Sequence, residues 1–225
     1  MATAVNNQPG VRPAERIASA RAYVPPSYAP SIVLRLDNNE GPEPSADLRL
    51  ALDGVSSEAV RRYPVASDLE RDIAQQFGVD PLRVVVTNGG DEAIDRICRA
   101  MIEPGCGLLT HDPVFEMIPR AARLSGGDVS TVRWLEGALD VDAMIERIDE
   151  RVGVVAVVSP CNPTGATVGS DDLLRLADAA QRFGAVLLAD LAYVEFADED
   201  PTTALLKRDN VVVVRTFSKA FGLAL

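Results

Sequence analysis

Two stretches of this chain, Val154-Val155-Ala156-Val157-Val158 and Val186-Leu187-Leu188-Ala189, carry no polar residue at any position. A strand with one face in water alternates apolar and polar residues, so these two belong in a sheet covered on both faces. Chains build such sheets by passing from strand to helix to parallel strand. The rest of the sequence keeps that rhythm. Strands are expected at 83–87, 107–110, 129–133, 154–159, 185–190 and 211–215. Helical periodicity lies between them. Residues 91–101 set Ile94, Ile97, Cys98 and Met101 on one face, and 170–182 do the same with Leu173, Leu176, Ala177 and Ala180. Ser67-Asp68-Leu69-Glu70 has the form of a capping box, opening a helix that ends near Gly78. The expected fold is α/β, a three-layer sandwich around a mostly parallel sheet.

Charge and composition narrow the partners. A net charge of −11 leaves no basic stripe to grip a phosphate backbone, so nucleic acid is not expected as a partner. An anionic ligand must then be held by local devices such as backbone N–H groups. Cys98, Cys106 and Cys161 lack the paired spacing of a disulfide framework or a zinc site, which suits a reducing cytoplasm. The opening Met1-Ala2-Thr3-Ala4-Val5-Asn6 has neither a basic region nor an apolar stretch, so no secretory signal is expected. No apolar run approaches a membrane span, and no membrane partner is expected. Residues 1–30 carry Pro9, Pro13, Pro25, Pro26 and Pro30 with little periodicity and read as an extended arm.

In open α/β sheets, ligands bind beyond the carboxyl ends of the strands. Those ends here deliver complementary groups. Thr87-Asn88-Gly89-Gly90-Asp91 follows the first strand, and Ser159-Pro160-Cys161-Asn162-Pro163-Thr164-Gly165 follows the fourth. Asp190-Leu191-Ala192-Tyr193 follows the fifth, and Arg215-Thr216-Phe217-Ser218-Lys219 the last. Together they offer a phosphate cradle, an amide, a carboxylate with a phenol, and an amine. A lysine set among small, hydroxyl-bearing and apolar residues suits an amine nucleophile that forms a Schiff base. Each motif also has a plainer reading. Asp190 can cap a helix, Gly89-Gly90 can be a tight turn, and Pro160–Gly165 can be a Pro/Gly turn. His111, the chain's one histidine, follows a strand and reads as a loop residue rather than a catalyst. No metal site is expected.

With those motifs in that order, the chain resembles pyridoxal-phosphate (PLP) enzymes of the aspartate-aminotransferase superfamily (fold type I, class I/II). It is most similar to the histidinol-phosphate aminotransferase branch. The resemblance runs from Leu36-Asp37-Asn38-Asn39-Glu40-Gly41-Pro42 through Arg61-Arg62-Tyr63-Pro64 to the end of the chain. It implies that Lys219 bonds the cofactor aldehyde and then acts as general base. Asp190 would pair with the pyridinium nitrogen, and Asn162 and Tyr193 would hydrogen-bond the phenolic oxygen. Gly90 and Asp91 would bind the phosphate through N–H groups at a helix start, with hydroxyls from Thr216 and Ser218. Phe115 would stack on the ring where close relatives carry tyrosine. Tyr63 would reach the cofactor phosphate of a neighbouring subunit in a homodimer, and Asn39 and Glu40 would lie near substrate. Two positions depart from the pattern: Leu191 replaces a glutamate, and Cys161 replaces an asparagine. Both bear on which substrate is taken.

The implied activity is amino transfer between an amino acid, or an amino-alcohol phosphate such as histidinol phosphate, and a 2-oxo acid. A PLP decarboxylase of the same fold stays open, because the cofactor-binding residues do not choose the bond that breaks. A non-catalytic remnant stays open too. A nucleotide-binding α/β domain is disfavoured, because no glycine-rich nucleotide motif follows a strand. By the resemblance, 1–44 form an N-terminal arm and 45–225 an incomplete PLP-binding large domain. In relatives the lysine is followed by Leu-Ala-Gly-Leu-Arg, but this chain reads Leu223-Ala224-Leu225. The phosphate-clamping arginine, an antiparallel strand between the first and last strands, and the small domain would all fall beyond it. The chain alone is therefore expected to bind PLP poorly and to show no turnover.

Overall fold

Alternate residues of the central strands go to opposite faces of the sheet, and helices cover both faces. The computed structural model describes residues 14–18, 29, 31–32, 38–41, 43 and 45–224. The helices are α1 (Glu15–Ala18), α2 (Ala46–Asp53), α3 (Ser57–Arg61), α4 (Ser67–Phe77), α5 (Gly89–Met101), α6 (Met117–Leu124), α7 (Val141–Ile145), α8 (Ser170–Gln181) and α9 (Thr202–Leu205). The strands are β1 (Gly107–Asp112), β2 (Val129–Arg133), β3 (Val152–Val158), β4 (Val186–Asp190) and β5 (Val211–Val214). They form one sheet in the order β2-β1-β3-β4-β5, with every pairing parallel.

Val154, Ala156 and Val158 of β3 and Leu188 of β4 pack against Ile94 and Cys98 of α5 and Ile118 of α6. Val155, Val157, Leu187 and Ala189 pack on the other side, against Leu173, Leu176, Ala177 and Ala180 of α8. Every residue of β3 is buried. The unbroken apolar runs thus have the physical cause the sequence suggests, a sheet dry on both faces. Glycine fits where the layers touch most closely. A Cβ on Gly153 would lie 2.2 Å from the Met101 carbonyl oxygen and 2.6 Å from Cys106 Sγ.

The segment 83–87 corrects one expectation. Pro81–Arg83 form a 3₁₀ turn, and Val84 to Thr87 make no strand. Among the described residues no strand lies beside this segment to complete a ladder, and β-branched residues alone do not make one. The Val86 N–H instead donates to Glu70 Oε1 at 3.0 Å, and Val85 is 64% exposed. That bond also explains why the capping box does not form. Glu70 is turned away from its own helix start, and α4 has Ala66 at its N-cap with no side-chain cap bond. The far end of α4 is as expected, with Gly78 at φ 66° in the left-handed region glycine favours. Strand β1 runs two residues beyond its expected end, so His111 lies inside a strand. The prolines of the arm, Leu36-Asp37, Pro42 and Leu225 lie outside the described residues. Among those described, no helix is long and apolar enough to cross a membrane.

Leu188→Ala opens a hole in a core with no solvent access. It is expected to cost about 2–5 kcal/mol, read as a lower urea midpoint at unchanged m-value. Val85→Ala, at the unpaired segment, is expected to stay within about 0.5 kcal/mol of wild type.

Candidate active site

The strand order fixes where a crevice can open. From β1 the chain crosses to β2 on one side and then returns to β3 on the other. The carboxyl ends of β1 and β3 therefore mark a topological switch point, where the connections part. Backbone register between these two strands runs from Gly107 opposite Val152 to Leu109 opposite Val155. A cleft of about 770 Å³ lies beyond the carboxyl ends, with Asn39, Glu40, Asn162, Tyr193 and Lys219 in its wall. Five of the expected site residues thus meet in one place.

Lys219 follows β5 after a short turn. Its Nζ donates to the Asn38 carbonyl at 3.0 Å and lies 5.7 Å from the centre of the Tyr193 ring. Tyr193 is tied in turn to the N-terminal segment, since Asn39 Nδ2 donates to its hydroxyl at 3.1 Å. Gly41 makes this approach feasible: a Cβ there would lie 2.0 Å from the Lys219 carbonyl oxygen. Asn38 and Gly41 were not singled out as site residues from the sequence. Their contributions are a backbone carbonyl and an absent side chain, which residue type alone does not announce.

Asp190 ends β4 and is 4% exposed. One of its carboxyl oxygens accepts the Ala192 N–H at 3.1 Å. Burial pushes its pKa up to about 6; the Ala192 bond opposes that shift, while the nearby negative charge of Asp91 adds to it. Asp91 is itself raised by burial, with Lys219 pulling the other way. Asp91 therefore feels both Asp190 and Lys219, and neither carboxyl is among the residues of the cleft wall.

Gly90 and Asp91 sit in the first turn of α5. Its N-cap residue, Asn88, makes no side-chain cap bond. First-turn N–H groups have no partner inside the helix and carry the positive end of its dipole, which suits an anion. The hydroxyls of Thr216 and Ser218 are occupied with each other. Thr216 Oγ1 donates to Ser218 Oγ at 2.9 Å and accepts the Ser218 N–H at 3.1 Å. Phe115 lies in the turn before α6, partly buried against the core, and is not in the cleft wall. Tyr63 is 96% exposed and does not reach the cleft of its own chain.

Comparison with known proteins matches the sequence to a family and the fold to solved structures. The sequence model of the family described as aminotransferase class I and II covers residues 31–224. Histidinol-phosphate aminotransferase 1 of Bacillus cereus is 34% identical over 229 residues, covering 95% of this chain and 61% of the relative. Histidinol-phosphate aminotransferase of Dinoroseobacter shibae is 35% identical over 195 residues, covering 85% and 54%. Among solved structures, histidinol-phosphate aminotransferase from Sinorhizobium meliloti in complex with pyridoxal-5'-phosphate superposes with a TM-score of 0.73 at 26% identity. That match covers 83% of this chain and 52% of the other. The chain spans less than two thirds of the length of these relatives.

The raised pKa of Asp190 makes stability depend on pH. Its value is about 6 when folded and about 3.9 when unfolded. Between those values the folded chain holds the proton more tightly, so stability falls as pH rises through the window and levels off above it. The cost at pH 8 is about 3 kcal/mol. Asp190→Asn removes this titration. The variant is expected to match the wild-type urea midpoint near pH 4 and to exceed it at pH 8; parallel profiles would show that the carboxyl is not destabilised by burial.

Proposed function

The chain belongs to the class I and II aminotransferases, and from that premise we propose that its crevice holds pyridoxal 5'-phosphate for amino transfer. The donor would be an amino acid or an amino-alcohol phosphate such as histidinol phosphate, and the acceptor a 2-oxo acid. The observation that carries this reading is the cleft that brings Lys219, Tyr193 and Asn162 together beyond the strand ends, with the buried carboxyl of Asp190 at the end of β4. A buried carboxyl with a pKa pushed up to about 6 calls for a cationic partner, which a protonated pyridine nitrogen supplies. In the cleft wall, Lys219 presents an amine that is not ion-paired among the described residues and bonds a neutral carbonyl.

The chain's own groups divide the work. Lys219 would hold the cofactor through its aldehyde, and when released its Nζ would carry a proton to and from the reacting carbon. Asp190 would keep the ring nitrogen protonated. When bound, the cofactor supplies an electron sink for the bonds at the donor's amine-bearing carbon. Asn162 and Tyr193 would hydrogen-bond its phenolic oxygen, and Asn39 orients the Tyr193 hydroxyl. The N–H groups of Gly90 and Asp91 would take the phosphate, with Thr216 and Ser218 turning their hydroxyls from each other to the anion. Phe115 would cover the ring face, and Glu40 would border the donor. Two features support the fit: the uncapped start of α5 and a cleft bordered by both Lys219 and Tyr193.

We further propose a homodimer in a cytoplasmic setting. Helices α2 and α3 bury no side chain, and Leu50 of α2, Val60 of α3 and Val65 just beyond stand exposed. A second copy covering this surface would carry Tyr63 to the partner's phosphate site. Free Cys98, Cys106 and Cys161 suit a reducing compartment. Residues 1–44 would form an arm, and 45–225 part of the cofactor-binding domain.

Adding pyridoxal phosphate to the purified chain is expected to produce a visible absorption band that is lost in Lys219→Ala and weakened in Asp190→Asn. The band should need a high pyridoxal phosphate concentration, since the chain alone is expected to bind it poorly and to show no turnover. A band of equal strength in Lys219→Ala would refute the assignment.

A further inference from the structure

His111 is used by none of the roles above, yet it stands at the switch point. Beyond Leu109 the register of β1 on β3 ends, and two side chains bridge the strands in its place. Thr110 Oγ1 donates to the Ala156 carbonyl at 2.9 Å. One step further, the Val158 N–H donates to His111 Nε2 at 3.1 Å. The other ring nitrogen, Nδ1, lies 2.8 Å from the Pro113 carbonyl. That carbonyl can accept only if Nδ1 carries the proton, and Nε2 can accept only if it does not. The two contacts together therefore require the neutral Nδ1–H form.

The surroundings hold the ring in this state. It is fully buried, with the Trp134 ring perpendicular to it at 4.9 Å between centres. Burial holds its pKa below the usual imidazole value, against the opposing pull of the Pro113 carbonyl and Asp112. The Pro113 carbonyl also faces Cys161 Sγ at 3.8 Å. The next N–H along β3, that of Ser159, donates across to the Asp190 carbonyl at 3.0 Å. The imidazole thus links three chain segments: the turn bearing Phe115, the end of β3 leading to Asn162, and through β3 the end of β4 bearing Asp190.

We propose that His111 is a positioning residue that clasps β1 to β3 where their ladder stops, setting the distance between the turn bearing Phe115 and the turn bearing Asn162. The assignment rests on the cofactor reading, since those turns matter to function as walls around a bound ring. A backbone ladder continued to Val158 would hold the strands closed; an unbridged gap would leave the buried Val158 N–H without an acceptor. The histidine bridges the gap without closing it.

The test compares wild type, His111→Phe, His111→Gln and Asn210→Ala. Asn210 lies at the opposite end of the sheet and donates to the Ala177 and Ala185 carbonyls, so its variant controls for lost stability alone. Without cofactor, nitrogen spectra of the chain's one histidine should show the neutral Nδ1–H form. In His111→Phe, amide exchange at Val158 should quicken about tenfold, with Leu187 and Leu188 unchanged. With pyridoxal phosphate, the dissociation constant should rise about tenfold in His111→Phe. His111→Gln, which keeps an acceptor and a donor, should recover most of the affinity, and Asn210→Ala should bind as wild type. An Nε2–H form, unchanged exchange at Val158, or equal affinity in His111→Phe and wild type would overturn the proposal. A wild type that develops no absorption band refutes the cofactor reading instead, and the spectra and exchange still decide whether His111 clasps the strands.

Discussion

The parallel pairing of β3 with β4 sets Val158 opposite Asp190, and much of the crevice follows from that register. It is held in place by burial, because a slip of one residue would move every side chain of β3 and β4 to the wrong layer. At the carboxyl end the same register stops both strands level. A carboxyl is therefore delivered to the end of β4 beside the turn that begins at Ser159. Parallel sheets collect such ends on one side, and the functional groups of this chain gather there for the same reason.

Burial sets the chemistry as well as the fold. Asp190 sits where the apolar layers end, and the desolvation that stabilises its neighbours destabilises its charged form. The apo chain thus stores a cost that a cationic ring nitrogen would relieve, so cofactor affinity and apo stability are opposed at one residue. Lys219 stands in the complementary position. Its amine rests on a carbonyl rather than a carboxylate, an interaction that a covalent partner can displace without breaking an ion pair.

Much of this was legible in the sequence because it depends on periodicity and on strand ends. The runs around Val155 and Leu187, the buried face of α8 and the left-handed Gly78 are local signals with one structural answer. What was not legible depends on partners. Residues 83–87 have strand composition but no neighbouring strand. Ser67-Asp68-Leu69-Glu70 has a capping pattern, but Glu70 is drawn to Val86. His111 looked like a loop residue because β1 was expected to end before it, and its value lies in two backbone groups remote from it in sequence. Phe115 carries a side chain of the expected kind, yet it is not among the residues of the cleft wall. The sequence could name the types of group near the site but not their contacts.

The central claim is that this crevice binds pyridoxal phosphate through Lys219. Lys207 and Lys219 are the chain's lysines, and Lys207 is exposed on the far side of α9 in sequence, before β5. The direct measurement is to incubate the chain with pyridoxal phosphate, reduce it with borohydride, and map the label by peptide mass. The account predicts saturable labelling of Lys219, diminished in Asp190→Asn, with Lys207 labelled only weakly and without saturation. Equal labelling of the two lysines, or labelling of Lys219 that Asp190→Asn leaves unchanged, would contradict it.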